Sequence, residues 1–164
     1  MKRSVSGTGA FSLVEVTLAL GVAAFCLIAV LGLLPTSLKT QQASIQQTIA
    51  NQIISQIFSD LRADVRLPPG QYRHYEEDSG FGLHGHWRNV ATPDTLYFTN
   101  EGKQTGTING SPPADAVFRA KITYRFPPTD TTSLADITVS WPAQVDPTTG
   151  VPAGLVTTMV AVNR

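Results

Sequence analysis

The chain has 164 residues, of which 42% are hydrophobic, and its 12 basic and 12 acidic side chains leave a formal net charge of zero. This balance is not that of a nucleic-acid-binding protein, so we expect no nucleic-acid partner. The one cysteine, Cys26, excludes an intrachain disulfide, so any folded domain is held together by its core.

A short basic head opens the chain and precedes a long apolar run. Lys2 and Arg3 are the only charged residues before Glu15, and the nineteen residues from 16 to 34 carry no charge. About 20 apolar residues are enough to span a bilayer. A carboxylate costs roughly 2.5–3.5 kcal/mol at mid-bilayer and less near the interface, so Glu15 is expected to have a partner. The early basic pair predicts a cytoplasmic amino terminus.

Three simpler interpretations of the apolar run have to be weighed. A secretory signal peptide has an apolar core of about 7–15 residues that ends in a small-x-small cleavage site. This run is longer, and residues 33–37 offer no such site. A plain single-pass anchor accounts for the length but not for the order Phe-Ser-Leu-Val-Glu at 11–15. A buried helix of a soluble protein is disfavoured by nineteen residues without a charge.

The helical pattern is predicted to continue beyond the apolar run to about Val65. Pro35 cannot donate a hydrogen bond to the carbonyl of Leu31, so we expect a kink around Gly32 and Pro35. Apolar residues then recur every three or four positions and predict a face that packs on a core. These residues are Leu38, Ile45, Ile49, Ile53, Ile54, Ile57, Phe58, Leu61 and Val65.

Residues 68–70, Pro-Pro-Gly, end the helical pattern, and strand patterns follow. Alternating apolar and polar residues predict strands at 95–99, 117–126, 135–141 and 155–162, with a turn at 100–102 leading into 103–108. The strand at 117–126 is expected to bury one face and to expose a basic one with Arg119, Lys121 and Arg125. A few strands with one apolar face need a cover, which predicts an α+β fold of one long helix on a small antiparallel sheet.

The amino-terminal pattern resembles the prepilin leader of type IV pilins and type II secretion pseudopilins. The resemblance implies cleavage between Ala10 and Phe11, N-methylation of Phe11, and a pilin-like fold. It also implies that Glu15 serves assembly by pairing with the new amine of a neighbouring subunit. Most family members have glycine directly before the cut, whereas here Gly9 lies one position earlier. The closing strands, which include Ile137–Pro142, are similar to those of the pilin-like Verru_Chthon cassette protein B family.

The resemblance implies a non-enzymatic minor pilin or pseudopilin-like subunit of a pilus-like or secretion-system filament. Its expected partners are the bacterial inner membrane, prepilin peptidase and other pilin-like subunits, with the carboxy-terminal head extracytoplasmic and no cofactor. Cys26 alone cannot form the carboxy-terminal disulfide loop of many major pilins, which favours a minor subunit. The expected regions are a leader (1–10), a transmembrane and assembly helix (11–35), an amphipathic helix (36–67) and a β-rich head (68–164). The alternative is a single-pass membrane-anchored extracytoplasmic binding module outside any filament.

An enzymatic or metal-binding role has little support in the sequence. His84 and His86, together with His74 and the acidic residues 76–78, have the types needed for a metal site. In a solvated loop such residues more often only face water, so we expect no metal. Neither a Gly-x-Ser-x-Gly motif nor a glycine-rich phosphate loop occurs.

Overall fold

A computed structural model describes residues 12–64, 80–83, 92–125 and 132–163. The chain forms two compact units, the first ending at Gln42 and the second beginning at Ala43. Helix α1 covers Leu13–Asp64, and five strands follow it along the chain. Residues 65–79, which include the predicted helix end and the Pro-Pro-Gly stop, lie outside the described part.

The five strands form one antiparallel sheet in the order β2-β1-β3-β4-β5. Their bounds are β1 Asp94–Phe98, β2 Gln104–Thr105, β3 Phe118–Arg125, β4 Thr132–Trp141 and β5 Gly154–Asn163. The long helix packs on this sheet, which confirms the predicted α+β class. The stretch expected to run on from the 100–102 turn forms only the two-residue β2, because the chain then turns back at Gly106 with φ 71°.

The apolar face of α1 meets the sheet over about three turns. Ile49, Ile54 and Phe58 are half-buried at its margins. The side chains at its centre are fully buried: Ala50, Ile53, Ile57 and Leu61. Leu38 and Ile45, expected on the same buried face, are 57% and 58% exposed, so that part of the prediction is wrong. The described strands build a core that reaches α1 only from Ile49 onward.

Alternate residues of the two central strands complete the core. Every second residue of β3 and β4 points towards α1, as the period of a strand requires. The buried residues are Phe118, Ala120, Ile122 and Tyr124 in β3, and Ala135, Ile137, Val139 and Trp141 in β4. The rings of Phe118 and Trp141 meet edge to face with centroids 5.8 Å apart. Each large side chain buried here contributes about 1.5–3 kcal/mol to folding.

The predicted exposed basic face of β3 is wrong at Arg119. This side chain is only 10% exposed and lies over the Tyr97 ring, with the guanidinium carbon 5.6 Å from the ring centroid. Its Nε donates to the carbonyl of Ala143 at 2.9 Å, and its Nη1 lies 2.6 Å from Oδ2 of Asp146. Residues 142–146 therefore supply a partial cover on the outer side of the sheet, which strand alternation alone does not reveal.

A buried carboxylate ties the loop after β2 to β1. Asp94 is fully buried, and its Oδ2 accepts a 2.6 Å hydrogen bond from the hydroxyl of Tyr124. Its Oδ1 accepts from Nδ2 of Asn109 at 3.1 Å. Asn109 has φ 57°, a conformation that asparagine tolerates better than most residues, and its Oδ1 accepts from the amide of Thr95 at 2.7 Å. These bonds offset the cost of burying the polar groups.

Candidate functional site

The first turn of helix α1 places Glu15 near the first backbone amides of the helix. The carbonyl of Ser12 accepts hydrogen bonds from the amides of Glu15, at 3.0 Å, and Val16, at 3.2 Å. Glu15 lies in the first turn, where the helix dipole favours a negative charge. Ser12 and Glu15 also match the Ser-x-x-Glu signature of a helix start, a signal that our sequence reasoning missed. The local fold thus gives Glu15 a favourable place at the helix start, whether or not it has a partner elsewhere.

Residues 13–34, here called the apolar segment, expose their side chains on every side of the helix. Every residue from 12 to 45 is exposed, and even large apolar side chains such as Leu13, at 81%, and Phe25, at 73%, have no cover. The best 18-residue window of α1 has a mean hydropathy of 2.6 and none of it is buried. A helix of this length rises about 33 Å, which matches the ~30 Å hydrocarbon core of a bilayer. The segment is long and apolar enough to span a membrane.

The balance of transfer free energies favours insertion of the apolar segment. Residues 16–34 contain eleven Leu, Ile, Phe and Val side chains. At roughly 0.3–0.6 kcal/mol each, these contribute about 3–7 kcal/mol in favour of the bilayer. A single carboxylate opposes this by roughly 2.5–3.5 kcal/mol at the bilayer centre, and by less at the helix end. Glu15 therefore lowers the preference of the apolar segment for a bilayer without reversing it.

One face of the apolar segment carries a shallow groove centred on Gly21. The groove is lined by Val14, Thr17, Leu18, Gly21, Val22 and Phe25. A Cβ added at Gly21 would meet no other atom within 4 Å, so the groove is open to whatever surrounds the helix. The hydroxyl of Thr17 donates to the carbonyl of Val14 at 2.9 Å, which satisfies it inside the helix. With Thr17 satisfied in this way, the polar group of the segment that still needs a partner is the carboxylate of Glu15, its one charged side chain.

The predicted site residues divide between the described and undescribed parts of the chain. Glu15, Gly32 and Pro35 all lie on α1, which stays helical through Pro35. The kink there remains a prediction. The expected cleavage and methylation residues, Gly9, Ala10 and Phe11, lie outside the described residues. So do His74, His84, His86 and the acidic residues 76–78. In the described part of the chain, no three His, Cys, Asp or Glu side chains are grouped so as to hold a metal ion.

Two exposed carboxylates of the head are held in local turns. The hydroxyl and amide of Thr148 donate to Oδ1 of Asp146 at 2.6 and 2.9 Å, and these bonds lower the pKa of Asp146, with a smaller contribution from Arg119. The Thr99 hydroxyl donates to Oε2 of Glu101 at 2.7 Å and lowers the pKa of Glu101. Both carboxylates stay ionised at neutral pH and stabilise turns.

Comparison with known proteins adds no relative: no family model, curated protein or solved structure matches this chain. The functional argument therefore depends on the chain's own residues and on the fold they adopt.

Proposed function

We propose that the chain is a non-enzymatic minor pilin or pseudopilin-like subunit that is anchored in the bacterial inner membrane and assembled through α1 into a pilus-like or secretion-system filament. The observation that carries the proposal is the apolar segment, which is exposed on all sides and has one carboxylate, Glu15, in its first turn. The head, an amphipathic helix on an antiparallel sheet, agrees with the pilin-like layout.

Assembly would follow from the charge that processing creates. Cleavage before Phe11 frees a positive amine, and a neighbouring subunit's Glu15 accepts it as a partner. A carboxylate and an ammonium 4 Å apart attract by about 4 kcal/mol at an effective dielectric constant of 20. This is comparable to the roughly 2.5–3.5 kcal/mol that a lone carboxylate costs at mid-bilayer. The pair would offset the cost that the unassembled subunit bears, which supplies a driving force for docking.

Processing is tested by the intact mass and amino-terminal sequence of the protein from membranes, with and without an active prepilin peptidase. The proposal expects loss of residues 1–10 and a methylated amine on Phe11 only when the peptidase is present. An intact leader, or a cut beyond Leu34, would contradict the proposal and leave a simple anchor or a secreted domain.

Assembly is tested by Glu15→Leu, with Thr17→Leu as a matched polar-to-apolar change one half-turn away. We expect Glu15→Leu to insert and to be cleaved but to be missing from the sheared filament fraction, because it cannot pair with the amine. Thr17→Leu removes only a bond internal to the helix and should assemble normally. Normal assembly of Glu15→Leu would exclude the pairing role of Glu15, whereas absence of the unmodified chain from the filament fraction would favour the anchored binding module.

A further inference from the structure

The loop that follows β2 carries an asparagine directly before a glycine, at positions 109 and 110. Such a pair is prone to deamidation, because the glycine amide nitrogen can attack Cγ of the asparagine side chain with no Cβ of its own in the way. The new C–N bond closes a five-membered succinimide ring, and ammonia leaves. Water then opens the ring to give aspartate or isoaspartate, so one water is consumed for each ammonia released.

In the folded head both reacting groups of this pair are engaged in hydrogen bonds. The Asn109 side chain is fixed at both ends: its Nδ2 donates to Oδ1 of Asp94 at 3.1 Å, and its Oδ1 accepts from the amide of Thr95 at 2.7 Å. The attacking nitrogen, the amide of Gly110, donates to the carbonyl of Thr107 at 3.1 Å. Attack requires this nitrogen to lose its proton and the side chain to turn towards it. The three bonds must therefore break before the reaction can start.

Packing of the loop requires both residues of the pair. A Cβ added to Gly110 would lie 2.5 Å from Oγ1 and 3.1 Å from the carbonyl oxygen of Thr107, so a larger residue does not fit unless the loop moves. Asn109 has φ 57° and is exposed, so water reaches it. The hydroxyl of Tyr97, in β1, donates to the Gly110 carbonyl at 3.0 Å and holds the loop closed. The reactive dipeptide is thus built into the loop, and the same fold restrains it.

We propose that Asn109 is a deamidation site that reacts only when the loop after β2 opens, and that the product prevents the loop from closing again. The acid formed at position 109 has an oxygen where Nδ2 donated, which sets a second carboxylate against the fully buried Asp94. Two carboxylates that share a buried site repel one another. Isoaspartate also routes the backbone through the side-chain methylene, next to the bond that the amide of residue 109 donates to the Thr95 carbonyl. Deamidation thus irreversibly marks a head whose loop has opened.

The rate of reaction is tested on the full chain in detergent at mildly alkaline pH, with peptide mapping by mass spectrometry to quantify the acid formed at position 109. The folded chain should deamidate at least about tenfold more slowly than the same chain in guanidinium chloride, because three hydrogen bonds must break first. Tyr97→Phe removes the bond to the Gly110 carbonyl and should raise the folded rate about two- to tenfold. Thr157→Val removes from β5 a hydroxyl that contacts Thr138. Because β3 and β4 separate β5 from β1, this control should leave the rate unchanged.

The effect of the product is tested by hydrogen exchange of Asn109→Asp, which carries the acid from the start. The amides of residues 95, 109 and 110 are the donors of the closed loop. We expect them to exchange at least about tenfold faster in Asn109→Asp than in the parent, because the loop stays open. Asn100→Asp makes the same change of charge at an exposed residue and should leave their exchange unchanged.

Three results would overturn the proposal. A folded chain that reacts as fast as the unfolded chain, or a Tyr97→Phe rate equal to that of the parent, would show that loop opening does not control the reaction. An unfolded chain that forms no acid at position 109 would show that the site does not react. Amides as protected in Asn109→Asp as in the parent would show that the product does not block closure. The comparison of folded with unfolded parent needs no variant and stays informative if Tyr97→Phe unfolds.

Discussion

Replacing Gly154 by alanine is expected to destabilise the head, because Gly154 lies directly opposite Trp141 in the β4–β5 ladder. An added Cβ would overlap the indole atoms Cζ2 and Cε2 and lie 2.8 Å from Cη2, closer than van der Waals contact allows. The indole cannot move freely, since it is only 7% exposed and packs on Phe118. Overpacking of this kind costs about 1–3 kcal/mol. Because the overlap with the packed indole places the cost near the upper end of this range, and alanine would recover roughly 0.5–1 kcal/mol of backbone entropy in a strand, the net loss should be about 2 kcal/mol.

The assay is pulse proteolysis of the full chain in detergent across a urea series, which reports the folded head without relying on tryptophan fluorescence. A double-mutant cycle with Trp141→Leu provides the control. Once the indole is absent, Gly154→Ala should be neutral or mildly stabilising, giving a coupling free energy of about 1 kcal/mol or more. Equal losses in both backgrounds, or a Gly154→Ala variant as stable as the parent, would refute the steric argument.

Three further predictions concern a turn, a buried hydrogen bond and the proline that follows the apolar segment. Asp146→Asn should lower stability by about 1 kcal/mol above pH 5, because the carboxylate is 41% exposed yet its Oδ2 pairs with Arg119, which is only 10% exposed. Hydrogen bonds from Thr148 lower the pKa of Asp146 below its ordinary 3.8, so the difference in unfolding free energy between parent and variant should shrink as the pH falls below 4. Urea unfolding at a series of pH values would measure this difference, and a pH-independent difference would contradict the prediction. Tyr124→Phe removes one donor to buried Asp94 and should cost about 1–3 kcal/mol by the same assay, and a neutral effect would contradict the buried hydrogen bond. Pro35→Ala should reduce assembly into filaments without affecting insertion, as membrane and filament fractions would show, and normal assembly would remove the kink hypothesis.

Local chemistry made most of the secondary structure predictable. The three- and four-residue spacing of Ile53, Ile57 and Leu61 marked the buried face of α1, and strict alternation marked β3 and β4. The same pattern failed at Leu38 and Ile45, because periodicity shows that a helix has an apolar face and not how far its cover extends. The strand pattern failed at Arg119 because alternation gives only the side of the sheet on which a residue lies. Residues 142–146 decide whether that side is exposed to solvent.

The sequence by itself determined the apolar run, the single carboxylate at its amino end, the long helix and the α+β class. These depend on the order and spacing of residues, since transfer free energy and helical or strand period act over short stretches of chain. Only the tertiary structure decided which strands form the edges of the sheet, that Gly154 accommodates Trp141, and that buried Asp94 accepts hydrogen bonds from Tyr124 and Asn109. Such features join residues far apart in the chain, and they exist only once strand order and register bring those residues together.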